Sequence, residues 1–145
     1  MRGMFHGLDF AHGRGHMVRA VLEGVAYELN YMVQSLKKQG LAIDKLTALG
    51  GATRSDLWMQ TVSDITGLPI RTSDVADIAP IGAAIMAAVG AGMYTDYRQA
   101  CNAFVSLAEH KSYQPNEQNR ALFDAGFEKY CALSEFLQKE AASQL

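Results

Sequence analysis

Leu46-Thr47-Ala48-Leu49-Gly50-Gly51-Ala52-Thr53-Arg54-Ser55-Asp56-Leu57-Trp58 is the stretch on which the fold turns. An apolar tetrad ending in Leu49 is too short for a helix and reads as a strand. Two adjacent glycines follow, which permit backbone dihedrals that a side chain would forbid and let a ligand approach the main chain closely. A helix pattern starts immediately afterwards, and its free N–H groups and positive dipole end favour a phosphate placed on the turn. Taken alone, the Gly50-Gly51 pair fits a phosphate cradle and also fits a plain strand-to-helix connection. The surrounding sequence must separate the two.

Outward from the turn the signals alternate. The helix from Arg54 or Ser55 to Thr66 carries Leu57, Trp58, Val62 and Ile65 on its apolar side and is closed by Gly67, with Pro69 just beyond. Leu68 to Thr72 reads as the next strand. A helix then starts at about Asp77, since Pro80 is tolerated in a first turn, and runs to about Val89. Gly82, Ala83, Ala84, Ala87 and Ala88 leave it little bulk, which permits close packing or close approach of a flat ligand. Upstream, Val18, Val21, Leu22, Val25, Leu29, Met32, Val33 and Leu36 form one stripe of a long helix from about Gly15 to Gln39, the stripe expected to face the core. Lys37 and Lys38 suit its negative end, and Gly40 suits its stop. Met4 to Phe10 fits a strand or extended leading segment. Downstream lie a short helix from about Tyr97 to Phe104, a polar connection, and a last helix opened by Pro115-Asn116-Glu117 and reaching about Glu140, with Leu122, Phe123, Phe127, Tyr130, Leu133 and Leu137 as its buried face.

This order describes an α/β layer, helix-rich with about three short strands. A free-standing sheet of this class usually has about five or six strands, so the chain reads as part of a larger domain.

Bulk properties narrow the function. The chain has 145 residues, 49% of them hydrophobic and 19% charged, which is globular and without an apolar run long enough to span a bilayer. Thirteen Lys and Arg against fifteen Asp and Glu, a net charge of −2, argue against nucleic-acid binding. Cys101 and Cys131 are far apart with no Cys-x-x-Cys pair, which reads as two reduced thiols in a cytoplasmic protein. Met1 to Gly7 lacks the apolar core of a signal peptide. His12 and His16 have the spacing of a helical pair, but Gly13 and Gly15 weaken a helix between them and no carboxylate or cysteine completes a ligand set; no metal site is expected. Arg19 and Glu23 read as an ordinary i,i+4 pair, and Trp58 as core rather than an adenine platform.

Four blocks resemble one family, the FGGY carbohydrate kinases of glycerol kinase, xylulokinase and ribulokinase type. Arg2-Gly3-Met4-Phe5-His6-Gly7-Leu8 and Arg19-Ala20-Val21-Leu22-Glu23-Gly24 resemble its Arg-Gly-x-Phe-x-Gly-Leu segment and Arg-Ala-x-x-Glu-Gly helix. Gly50-Gly51-Ala52-Thr53-Arg54-Ser55, with Trp58, Gln60, Asp64 and Gly67-Leu68-Pro69, resembles its Gly-Gly-Gly-Ala-Lys-Ser nucleotide loop and following helix, with Ala52 where a third glycine is usual. Asp77 with Ile81-Gly82-Ala83-Ala84 resembles its acidic residue and Leu-Gly-Ala-Ala helix, aspartate standing where glutamate is usual. Tyr113-Gln114-Pro115 with Phe123, Phe127 and Tyr130 resembles its terminal block.

The resemblance implies that residues 1–145 are a C-terminal fragment of the second domain of an actin-like (ribonuclease H-like) ATPase, the nucleotide-binding half. It further implies that Gly50, Gly51, Ala52 and Thr53 line the phosphate and ribose side of ATP, that Ser55 lies toward the adenosine, and that Gly82 flanks the pocket or packs its helix against it. The phosphate-gripping hairpin, the sugar contacts, the catalytic aspartate and most of the hold on Mg²⁺ belong to an absent N-terminal portion. Asp9, Glu23, Asp64 and Asp77 match other positions, so no catalytic residue is assigned to this chain. The expected function is the ATP-binding part of a kinase for a ketose such as xylulose, inactive in isolation. The alternatives are a non-catalytic α/β interaction module and an actin-like nucleotide binder that is not a sugar kinase. Faces left open by the absent portion would allow a homodimer.

Overall fold

The computed structural model describes residues 4–73, 78–105 and 110–142. Helix α1 (Arg14–Lys38) leads to strand β1 (Leu46–Ala48), a 3₁₀ turn (Gly51–Arg54), helix α2 (Asp56–Thr66) and strand β2 (Ile70–Ser73). Helices α3 (Ile78–Gly90) and α4 (Tyr97–Val105), strand β3 (His110–Tyr113), a second 3₁₀ turn (Glu117–Asn119) and helix α5 (Arg120–Ala142) follow. None of the described helices is long and apolar enough to cross a membrane.

The sheet has the order β1-β2-β3, with β1 parallel and β3 antiparallel to β2. Leu46 pairs with Ile70 and Ala48 with Thr72, and these residues face the helices. Thr47, Arg71 and Ser112 lie in register on the opposite face, all exposed. One side of the sheet is therefore covered and the other is open. The covered side meets a core of Ala26, Met59, Val62, Ile65, Ile70 and Phe123, with Trp58, Leu29 and Tyr113 packed around it.

Several local signals act as the sequence predicts. Gly67 ends α2 in the left-handed conformation (φ 65°), its N–H donating to the Ser63 carbonyl. Gly40 (φ 90°) follows α1, and Lys37 and Lys38 occupy its last turn. Trp58 sits against the core, and Arg19 pairs with Glu23 at 2.6 Å.

Other expectations are corrected. Met4 to Phe10 forms no strand; it is exposed and punctuated by Gly7 at φ 78°. The third strand is His110–Tyr113, inside the expected polar connection, where antiparallel pairing with β2 overrides a weak apolar pattern. Arg54 belongs to the 3₁₀ turn, and α2 starts one residue after Ser55. Leu57 and Leu122 are exposed rather than buried. The largest departure concerns α1, whose buried residues are Ala26, Asn30 and Val33, while Val18, Val21, Val25, Met32 and Leu36 are exposed. Helix α2 meets α1 at Ala26, which shares the core with Met59, Val62 and Ile65. Asp77 lies outside the described residues.

A second set of contacts fastens the C-terminal elements to α2. Asp64, 5% exposed, accepts through Oδ1 from Gln60 Nε2 (2.7 Å) and the Asn116 N–H (2.9 Å), and through Oδ2 from Asn119 Nδ2 (2.9 Å). Ser63 Oγ, fully buried, donates to the Leu68 carbonyl at 2.9 Å. The loop after β3 and the start of α5 are thereby held on one face of α2. The Tyr130 hydroxyl donates to Glu28, tying α5 to α1 further along.

Candidate functional site

Parallel strands β1 and β2 run in register, so their carboxyl ends lie at the same edge of the sheet. In open α/β sheets that edge is where ligands bind. From β1 the chain leaves that edge through Gly50, whose φ of 86° and ψ of −166° belong to a region that only glycine occupies comfortably. Gly51 adopts no such conformation, and a Cβ built on it would meet no atom within 4 Å. Gly50 therefore shapes the turn, and Gly51 leaves open space above it.

The rest of the turn is fixed by its own polar groups. Thr53 Oγ1 donates to the Gly50 carbonyl at 2.7 Å, and the Thr53 N–H donates to the same oxygen at 3.1 Å. Ser55 caps α2, its Oγ accepting from the Trp58 N–H at 3.2 Å. Gly51, Ala52, Arg54 and Ser55 are all exposed, and no ion pair among the described residues engages Arg54. What the sequence reads as a helix starting at once on the glycines is a 3₁₀ turn handing over to a capped α-helix. The turn thus presents main chain, small side chains and one cation to solvent.

Asp56, the residue after the cap, is the acidic group nearest this surface in sequence. Its Oδ1 accepts from the Tyr113 hydroxyl at 2.6 Å and lies 3.2 Å from Lys111 Nζ. The Tyr113 hydrogen bond, then Lys111, hold its carboxyl below the usual carboxylate range. Its charge is directed toward β3 and balanced there. Sequence reasoning did not find this arrangement, because partners 55 and 57 residues away carry no local signal.

Gly50, Gly51, Ala52, Thr53 and Ser55 thus share one turn. Gly82 lies on α3, and a Cβ there would meet no atom within 4 Å, so no described residue packs on its α-carbon. Ala83, Ala84 and Ala87 beside it are exposed, while Ile85 and Ala88 are buried. His12 and His16 stack edge to face at 5.3 Å, and the Nδ1 of each accepts a backbone N–H, from Asp9 and Gly13 respectively. Among the described residues no three His, Cys, Asp or Glu side chains converge as metal ligands.

Residues 1–91 match the model of the C-terminal domain of the FGGY family of carbohydrate kinases. The chain belongs to this family. It is similar to the xylulose kinase of Staphylococcus epidermidis, 29% identical over 133 residues, which are 92% of this chain and 26% of that protein. Among solved structures, the xylulose kinase of Rhodospirillum rubrum superposes with a TM-score of 0.80 at 29% identity, covering 96% of this chain and 28% of that one. The glycerol kinase of Plasmodium falciparum, solved with ADP, superposes with a TM-score of 0.70 at 26% identity, covering 88% of this chain and 26% of that one. The chain spans about a quarter of these relatives. The Gly50-Gly51 turn and α3 lie within the matched residues of the FGGY domain, and the block from Tyr113 to Tyr130 lies beyond them.

Proposed function

We propose that this chain is the C-terminal, nucleotide-binding portion of an ATP-dependent sugar kinase acting on a ketose such as xylulose, at work in the cytoplasm. The observation that carries the reading is the turn Gly50–Ser55: a glycine-only conformation, an open space over Gly51 and an exposed Arg54 with no ion pair among the described residues, all at the carboxyl edge of two parallel strands. Bound there, ATP would supply the transferable phosphoryl group. Gly50 and Gly51 would let its phosphates approach the main chain, with Ala52 and Thr53 beside them. Ser55 would border the adenosine, and Gly82 on α3 would flank the pocket. Arg54 would offset phosphate charge, and the pairing of Asp56 with Tyr113 and Lys111 would keep a carboxylate from opposing it.

Phosphoryl transfer also needs a base for the sugar hydroxyl and a grip on the transferring phosphate. Both are assigned to the portion of a full-length FGGY kinase outside this chain, as are the sugar contacts and the ligands of Mg²⁺. Transfer therefore requires that portion. A chimera in which this chain replaces the matched quarter of the Staphylococcus epidermidis xylulose kinase tests the reading. It should phosphorylate xylulose at the expense of ATP, while this chain alone should not. A folded chimera that fails to bind ATP would favour a non-catalytic interaction module instead.

A further inference from the structure

Helix α2 starts beside the Gly50–Ser55 turn with an acidic residue, Asp56. An acid in the first turn of a helix ordinarily faces the helix's own free N–H groups, which are the groups a phosphate would use. In α2 the Trp58 N–H is taken by Ser55 Oγ and the Met59 N–H by the Ser55 carbonyl, while the Asp56 and Leu57 N–H groups have no acceptor among the described residues. No hydrogen bond of the Asp56 carboxylate reaches them. Its Oδ1 instead accepts from the Tyr113 hydroxyl at 2.6 Å and lies 3.2 Å from Lys111 Nζ, both on β3. The same two partners hold its carboxyl below the usual carboxylate range.

The two β3 side chains are themselves held in place. Asp56, Gln60 and Asp64 recur every four residues and so share one face of α2. In chain order they engage Lys111 and Tyr113, then the Gln114 carbonyl, then Asn116 and Asn119. This row fixes the register of residues 111–119 along α2 and sets Lys111 and Tyr113 at the end of the helix that adjoins the turn. The outermost rung is exposed, the side chains of Lys111 and Asp56 at 58% and 70%, and an exposed ion pair contributes little to stability. Its effect is on the direction of a charge. We infer that Lys111 and Tyr113 are positioning residues for nucleotide binding: they turn the Asp56 carboxylate toward β3, so that the first N–H groups of α2 and the cation of Arg54 meet the phosphates without an opposing charge. The inference rests on the nucleotide reading of the turn, and it assigns a part in that site to a strand outside residues 1–91, the span of the family match.

The chimera with the Staphylococcus epidermidis xylulose kinase tests it, titrated with ATP and with adenosine by calorimetry. Lys111→Met removes the cation, and Tyr113→Phe removes the hydroxyl while keeping a ring on the core. A freed carboxylate about 7 Å from a phosphate charge changes affinity about threefold in water, so each variant should bind ATP at least about threefold more weakly. Adenosine, which carries no phosphate, should bind as before, and the loss for ATP should shrink as added salt screens the charges. The KM for ATP should rise by the same factor with kcat unchanged. Adding Asp56→Asn to Lys111→Met should restore ATP affinity, because the amide keeps an acceptor for Tyr113 and carries no charge. Neither single variant should move the thermal midpoint appreciably. A chimera that binds no ATP overturns the nucleotide reading and this inference with it. A chimera that binds ATP with an affinity the two variants leave unmoved overturns this inference alone. So does an equal loss for ATP and adenosine, or a loss that Asp56→Asn does not repair, since either result makes the pairing a plain fastening of β3.

Discussion

Replacing Asp64 by alanine should remove the fastening that holds α5 to α2. Three donors lose a buried carboxylate: Gln60 Nε2, the Asn116 N–H and Asn119 Nδ2, all within 2.9 Å. Hydrogen bonds to charged groups contribute about 1.5–3 kcal/mol each. Full loss does not apply here, since Gln60 also donates to the Gln114 carbonyl at 2.7 Å and Asn116 is exposed enough to reach water. We therefore expect a net cost of about 3 kcal/mol, close to one strong bond plus partial loss of the other two. Against a total stability of about 5–15 kcal/mol this is large. Asp64→Asn keeps one acceptor oxygen but sets an NH₂ against a donor, and should cost about half as much. Urea unfolding followed by Trp58 fluorescence and far-UV circular dichroism measures both. With a urea slope of about 1–3 kcal/mol/M, the alanine midpoint should fall by at least about 1 M at unchanged slope. A cost below about 1 kcal/mol for Asp64→Ala would refute the structural role and return this carboxylate to the functional candidates.

Gly50→Ala should cost about 1–3 kcal/mol from backbone strain alone, because its conformation is glycine-specific although nothing obstructs the Cβ; Gly51→Ala, without that constraint, should leave the thermal midpoint nearly unchanged. In Gly126→Ala the new Cβ would fall 2.1 Å from the Tyr27 hydroxyl and 2.8 Å from its ring, so overpacking of about 1–3 kcal/mol should outweigh the gain of about 1 kcal/mol in helix propensity, a net loss readable by thermal melting. Burial, reinforced by Glu23 for Tyr27 and Glu28 for Tyr130, pushes both phenols up to about 12 from 10.0. The unfolded state loses these protons first, so their contribution to stability is intact below pH 10 and lost as pH rises toward 12; tyrosinate absorbance should show Tyr27 and Tyr130 titrating late, and replacing either by phenylalanine should remove its share of that late phase.

How much of this was legible depended on the range of the interaction. Gly40, Gly67 and Ser55 act through hydrogen bonds within five residues, and such signals are written locally. The Gly50-Gly51 turn was legible for the same reason, though the 3₁₀ geometry after it was not. Strand β3 was missed because His110-Lys111-Ser112-Tyr113 has no apolar alternation and is a strand only by pairing with β2. The Asp64 network joins residues 52 and 55 positions apart, so the spacing along α2 gave no hint of it. Helix α1 misled in an instructive way. Of its apolar stripe, Val33 is buried and Leu29 packs against the core, whereas Val18, Val21, Val25, Met32 and Leu36 stay exposed. Hydrophobic period reports that a face is meant for burial; it does not report against what.

The central claim is that the Gly50–Ser55 turn receives the nucleotide, and an ATP titration measures it most directly. Trp58, the single tryptophan, lies three residues beyond Ser55 and donates its N–H to that cap, so it reports on the turn. In the chimera, ATP should give a saturable fluorescence change, and Gly51→Val, which fills the open space over the turn, should weaken binding at least tenfold while leaving the thermal midpoint in place. Equal affinity in the two proteins, or no response in either, would contradict the account.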